Sequence, residues 1–204
     1  SSWDSLKSAL EPGCTWVGYI PYEMGESPAC FFEPGSIELF KQDIPFKIPD
    51  LKCVKPFDKE NEYKNKVSII QDDILNGDVY QVNLSHETSY KGKLDPLALF
   101  LQLSNNPFAA YFDEGEKQLI SSSPEKLLSR SQNVLESCPI KGTAPFGKSE
   151  ELLNSAKDAA ELNMITDLIR SDMSWIANIK SPTLISEKTL TTYPHIHHLH
   201  SVIQ

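Results

Sequence analysis

The residue with the greatest chemical potential in this chain is Lys141, in the run Cys138-Pro139-Ile140-Lys141-Gly142-Thr143. A primary amine at the end of an extended stretch can attack an electrophilic carbon. Pro139 favours extended backbone around the approach to the lysine, and Gly142 allows a ligand to come close. To attack, the amine must be uncharged, which requires desolvation or a neighbouring cation. Downstream, Asp158 and Glu161 sit three residues apart among Ala159, Ala160, Leu162, Met164 and Ile165. On a helix both carboxylates share a face and can hold one hard cation or its bound waters. An acid on so apolar a helix needs a partner such as a metal ion.

His195, His197, His198 and His200 form the other titratable cluster. Strand alternation places His198 with His200 and His195 with His197 on opposite faces. No cysteine or acid nearby completes a tetrahedron, so one histidine acting as a proton carrier is expected rather than zinc. Other signatures are absent: no G-x-S-x-G, Walker loop, G-x-G-x-x-G or H-E-x-x-H occurs, and His86-Glu87 lacks a second histidine.

These residues need a scaffold. The 204 residues, 40% hydrophobic and 23% charged, are enough for one globular domain with a substantial core. A net charge of −9 without any clustered basic stripe argues against nucleic acid or an anionic membrane as partner. Cys14, Cys30, Cys53 and Cys138 are dispersed, with no C-x-x-C pair, and no apolar run approaches a membrane span. A soluble, cytoplasmic protein is expected.

Trp16–Ile20 reads as a short strand, and Pro45 to Pro56 as an extended connector. From Asp58, Tyr63, Val67, Ile70 and Ile74 recur at helical spacing up to Asn76-Gly77, a composition suited to a left-handed cap. Val79–Leu84 alternates as a strand, with Gln81 and Asn83 on the face open to ligand. Strands are expected at 110–112, 118–121, 127–130 and 134–138, as one antiparallel meander leading into Lys141. A helix capped by Ser149 should run from there to about Ile176, and Tyr193–Gln204 should form a last strand. The class is α+β, with residues 1–204 as a single domain.

Five ordered stretches then resemble the chorismate-utilising enzymes: 77–85, 122–127, 139–143, 157–172 and 193–201. The resemblance covers residues 60–204 and implies part of the chorismate-binding α/β sandwich, antiparallel sheets with helices packed outside. It implies Mg²⁺ held by Glu161, with Asp158 outside it. Gly142 and Thr143 would border the ring carboxylate, and His198 would lie near the reacting ring. Gln81 stands where members that add water to chorismate carry a lysine base. Lys141 stands where anthranilate synthases carry a small residue and aminodeoxychorismate synthases a lysine.

The resemblance therefore implies an aminodeoxychorismate synthase component I. Such an enzyme makes 4-amino-4-deoxychorismate for 4-aminobenzoate and folate through a covalent lysine intermediate. Its ammonia comes from a separate glutamine amidotransferase subunit. Anthranilate synthase component I and a truncated, non-catalytic binding module are the alternatives. Two positions depart from the family pattern: Ser171 in Arg170-Ser171-Asp172, and Leu162 after the metal-binding glutamate. Relative to a complete member, the chain ends before the segment carrying the second magnesium glutamate.

Overall fold

The computed structural model describes residues 17–20, 30–32, 45, 47, 49–55, 59–177 and 182–204, with main chain alone at 30–32. Trp16, Cys14, Pro56 and Asp58, named above, lie outside the described residues. The chain divides into two compact units, 1–101 and 102–204.

In the first unit β1 (Val17–Tyr19) pairs antiparallel with β2 (Cys30–Phe32), and β3 (Leu51–Lys55) with β4 (Ser89–Gly92). Between them α1 (Glu60–Asn76) starts where the Lys59 amide donates to the Glu62 carboxylate, and ends on Gly77 at φ 82°. The Gly77 amide bonds to the Ile74 carbonyl and the Asp78 amide to that of Asp73, closing the last turn as the Asn-Gly pair predicts. Two expectations change here. Residues 51–55, within the expected connector, form a ladder strand. Val79–Leu84 forms none, and Tyr80 is 86% exposed. Alternation marks a face, but a strand also needs a partner's hydrogen-bonding edge, which β4 supplies to β3 instead.

α2 (Pro96–Leu103) leads into the second unit, its first turn held by the Ala98 amide donating to Asp95 Oδ1 at 3.0 Å. The four strands expected next are present: β5 (Phe108–Asp113), β6 (Gln118–Ser123), β7 (Lys126–Ser131) and β8 (Val134–Cys138). They make two hairpins rather than one meander. β5 and β6 form a sheet of their own, while β7 and β8 join a five-stranded sheet with β9 (Ile140–Pro145), β10 (Leu184–Thr192) and β11 (Ile196–Ile203). Pro124 lies between β6 and β7, where a residue without an amide hydrogen cannot carry a ladder onward.

β11 is the central strand, antiparallel to β10 on one side and to β9 and β8 on the other. Its residues are accordingly buried on both faces: His197, His198, Leu199, Ser201 and Ile203. The long helix expected from Ser149 to Ile176 is two helices, α3 (Ser149–Leu153) and α4 (Ala156–Ile176). Ser155 caps α4 by accepting the Asp158 amide at 3.2 Å, so the cap is Ser155 and not Ser149. The core lies between this sheet and these helices, where Leu152, Leu162 and Leu199 pack with Ala144. Each fully buried leucine contributes about 1.5–3 kcal/mol. No helix among the described residues is long and apolar enough to cross a membrane.

Candidate functional site

β9 holds Lys141, Gly142 and Thr143, and its pairing with β11 is irregular at just this place. Thr143 faces His198 and Ile140 faces His200, so Lys141 and Gly142 together oppose the single residue Leu199. That is a β-bulge, a device that re-aims side chains and bends the strand. Gly142 takes φ 93°, a conformation side chains disfavour. A Cβ there would also stand 3.0 Å from Asp158 Cβ and 3.1 Å from Leu152 Cδ1. The glycine is thus required twice, by its backbone and by the helix against it.

This contact brings Asp158 to the strand that carries Lys141. The Asp158 carboxylate has no ion-pair or hydrogen-bond partner among the described residues, while Ser155 holds its amide. Glu161, one turn on, is 35% exposed at its side chain and lies 3.6 Å from Lys157 Nζ. Lys141 is half-buried, and its amine makes no hydrogen bond or ion pair among the described residues.

Sequence reasoning missed Glu125. It lies in the Ser122–Leu127 stretch, and its Oε1 accepts the Ile140 amide at 2.8 Å. A carboxylate is therefore fixed one residue from Lys141. The signal was the acid after Pro124, whose role only the β6–β7 connection reveals. A recess of ≈250 Å³ lies on this side, lined by Ser123, Glu125, Lys126, Ser137, Pro139 and Ile169 among others. Lys141 and Glu161 do not line it.

The histidines separate by surroundings rather than by simple alternation. His195 lies in the turn before β11, and its carbonyl accepts the Phe146 amide at 3.0 Å. It therefore does not share a strand face with His197, as alternation had placed it. His197 is buried and fully engaged: Nδ1 is 2.9 Å from Thr192 Oγ1, Nε2 accepts the Gly147 amide at 3.1 Å, and Phe146 stacks on the ring. His198 is 7% exposed, hydrogen-bonded through Nδ1 to Thr143 Oγ1 at 2.9 Å, with Tyr193 edge-on. Its Nε2 is buried without a partner. His200 is half-buried, and that burial lowers its pKa.

Lys141, Gly142, Thr143, Asp158 and His198 thus share one corner of the β9–β11 ladder and the start of α4, with Glu161 one turn beyond. Gln81 belongs to the first unit, half-buried in the segment without strand pairing. For a divalent cation the donors at this corner are two carboxylates, and no group of three ligating side chains occurs among the described residues. Such a pair suits Mg²⁺, which commonly takes one or two carboxylates and completes its shell with water and substrate oxygens.

Residues 47–204 match the family of chorismate binding enzymes. The chain belongs to that family, whose members use chorismate. It is 31% identical over 156 residues to the aminodeoxychorismate synthase component 1 of Bacillus subtilis, covering 71% of this chain and 33% of that one. It is 34% identical over 158 residues to the anthranilate synthase component 1 of Saccharolobus solfataricus, covering 71% and 37%. Among solved structures, anthranilate synthase component I from Streptococcus pneumoniae superposes with a TM-score of 0.65 at 25% identity, over 79% of this chain and 37% of that one. The chain therefore spans little more than a third of the length of these relatives. The mixed fold of helices and antiparallel sheet is the family's, and the two kinds of synthase are matched about equally well.

Proposed function

We propose that this chain carries the nucleophile-bearing part of an enzyme of the aminodeoxychorismate synthase component I type. One observation carries the reading. Lys141 occupies the bulge of β9, between Ile140, whose amide the Glu125 carboxylate holds, and Gly142, against which Asp158 packs. The anthranilate synthases' reaction has no use for an amine there.

In this reading Lys141 attacks C2 of chorismate. The ring double bond shifts, and the C4 hydroxyl leaves as water with a proton that Glu125, as general acid, would give. Ammonia then attacks C4, the double bond shifts back, and the C2–N bond breaks to free the lysine. The product is 4-amino-4-deoxychorismate, a precursor of 4-aminobenzoate and folate. Asp158 and Glu161 would hold Mg²⁺, which when bound supplies positive charge at the ring carboxylate. His198 would stand beside the ring, and Thr143 and Gly142 at its carboxylate. Gln81, lacking a basic amine, cannot activate water as a lysine does. The ammonia would come from a separate glutamine amidotransferase subunit.

The test is intact-mass analysis of the chain with chorismate and Mg²⁺, alone and with the remainder of a family polypeptide supplied separately. A covalent adduct on Lys141, absent in Lys141→Ala, and conversion to aminodeoxychorismate on adding ammonium are expected. No product from either mixture would overturn the proposal. The matches to anthranilate synthases make that enzyme the second reading. Its product, anthranilate, is fluorescent without any further lyase and would form undiminished in Lys141→Ala.

A further inference from the structure

Adjacent histidines on β11 are held in opposite ways. The Gly147 N–H donates to His197 Nε2, so that nitrogen offers a lone pair and the ring's hydrogen sits on Nδ1, toward Thr192 Oγ1. Both positions are filled. His198, equally buried, has only one nitrogen engaged: Nδ1 meets Thr143 Oγ1 across the Thr143–His198 register pair, and Nε2 has no partner. A buried polar atom left unpaired calls for a partner from outside the described residues, a ligand group or an ordered water.

Resting on the chorismate reading above, the group to be met is an anionic oxygen, which can only accept a hydrogen bond. Nε2 must then carry the hydrogen. A neutral imidazole has one N–H, so Nδ1 is bare and the Thr143 hydroxyl is the donor. We propose that Thr143 is a positioning residue that fixes His198 as its Nε2–H tautomer, so that the ring presents a proton to a carboxylate or oxyanion of the ligand. Thr143 then acts through His198, its hydroxyl being spent on the ring and not on the substrate.

The test reads tautomers directly, by ¹⁵N–¹H correlation spectra of the histidine rings in the ¹⁵N-labelled chain, with His198 assigned by the signal lost in His198→Asn. The wild-type chain and Thr143→Ser, which keeps the hydroxyl, should show His198 as Nε2–H. Thr143→Val, of the same shape without a donor, should move it toward Nδ1–H while His197 stays Nδ1–H. An Nδ1–H ring in the wild-type chain, or an unchanged Nε2–H ring in Thr143→Val, overturns the proposal. Should the valine variant lose the His197 signature and with it the fold, the wild-type and serine spectra still decide. No substrate enters these measurements. A correct tautomer whose Nε2–H signal fails to move when chorismate is added refutes the chorismate reading and not the coupling of the two residues.

Discussion

Gly142 and Asp158 meet so closely that one added methyl group would stand 3.0 Å from the aspartate Cβ and 3.3 Å from its Cγ. Strand β9 and helix α4 are therefore seated on each other at Gly142 and Asp158. The acid Asp158 and the bulge at Lys141 and Gly142 share one contact.

Replacing that glycine is expected to be worse than its backbone angle alone predicts. Gly147 has a similar φ, 86°, but nothing within 4 Å of an added Cβ. Gly147→Ala should cost the backbone penalty of about 1–2 kcal/mol. Gly142→Ala should add an overpacking cost of about 1–3 kcal/mol more. Urea unfolding of the two variants measures both, and equal losses would mean that α4 yields freely to β9.

Ser155→Ala should destabilise the unit by about 1 kcal/mol, since its hydroxyl accepts the Asp158 amide. The first turn of α4 carries Asp158, so under the proposed function the same variant should also weaken Mg²⁺ binding, measured by calorimetry. Ser149→Ala should change neither, because Ser149 is the first helical residue of α3 and not a cap.

Stability should respond to pH through two sites, both of which weaken the fold as pH falls. The hydrogen bond from Lys126, 2.5 Å from Glu136 Oε1, holds the Glu136 carboxyl below its usual range and the Lys126 ammonium above its own. The pair's contribution, at most about 1 kcal/mol for side chains this exposed, is therefore present between roughly pH 4.3 and 10.4. It is lost as pH falls through the lowered carboxyl value or rises through the raised lysine value. His200 is held low by burial, so the unfolded chain takes up its proton first and stability declines as pH drops below about 6.5. Glu136→Gln should destabilise at neutral pH but not near pH 2. His200→Gln should flatten the slope just below neutrality, as thermal melts across pH would record.

Cys138 should react slowly. Burial pushes its thiol up, whereas Cys53 is exposed. Iodoacetamide at mildly alkaline pH should label Cys53 on the order of tenfold faster. Peptide mapping gives the ratio, and comparable rates would contradict the packing around β8.

What the sequence made legible follows from where a local signal was enough. Asn76-Gly77 states its own conformation, and Gly142 marks a close approach, so the end of α1 and the contact of β9 with α4 are readable in advance. The division of the long helix was present too, in Asn154-Ser155 with Asp158 three residues on, but Ser149 with two glutamates offers a similar start. Only packing of Leu152 and Leu162 against the sheet decides between them. Pairing is least visible: Val79–Leu84 has the alternation of a strand and no ladder, while β10 pairs along its length without such a clear pattern. Glu125 falls in the same class, because its bond to Ile140 spans the whole β7–β8 hairpin.

The bulge at Lys141–Gly142 makes the number of residues here as consequential as their kinds. Deleting one of the two would leave Ile140 opposite His200 and Thr143 opposite His198, but would remove the extra residue that bends β9 between them. With the bend would go the close seat of α4 against Gly142. Substitutions at neighbouring positions can drift, but insertions and deletions in this stretch should be rejected throughout the lineage of this chain.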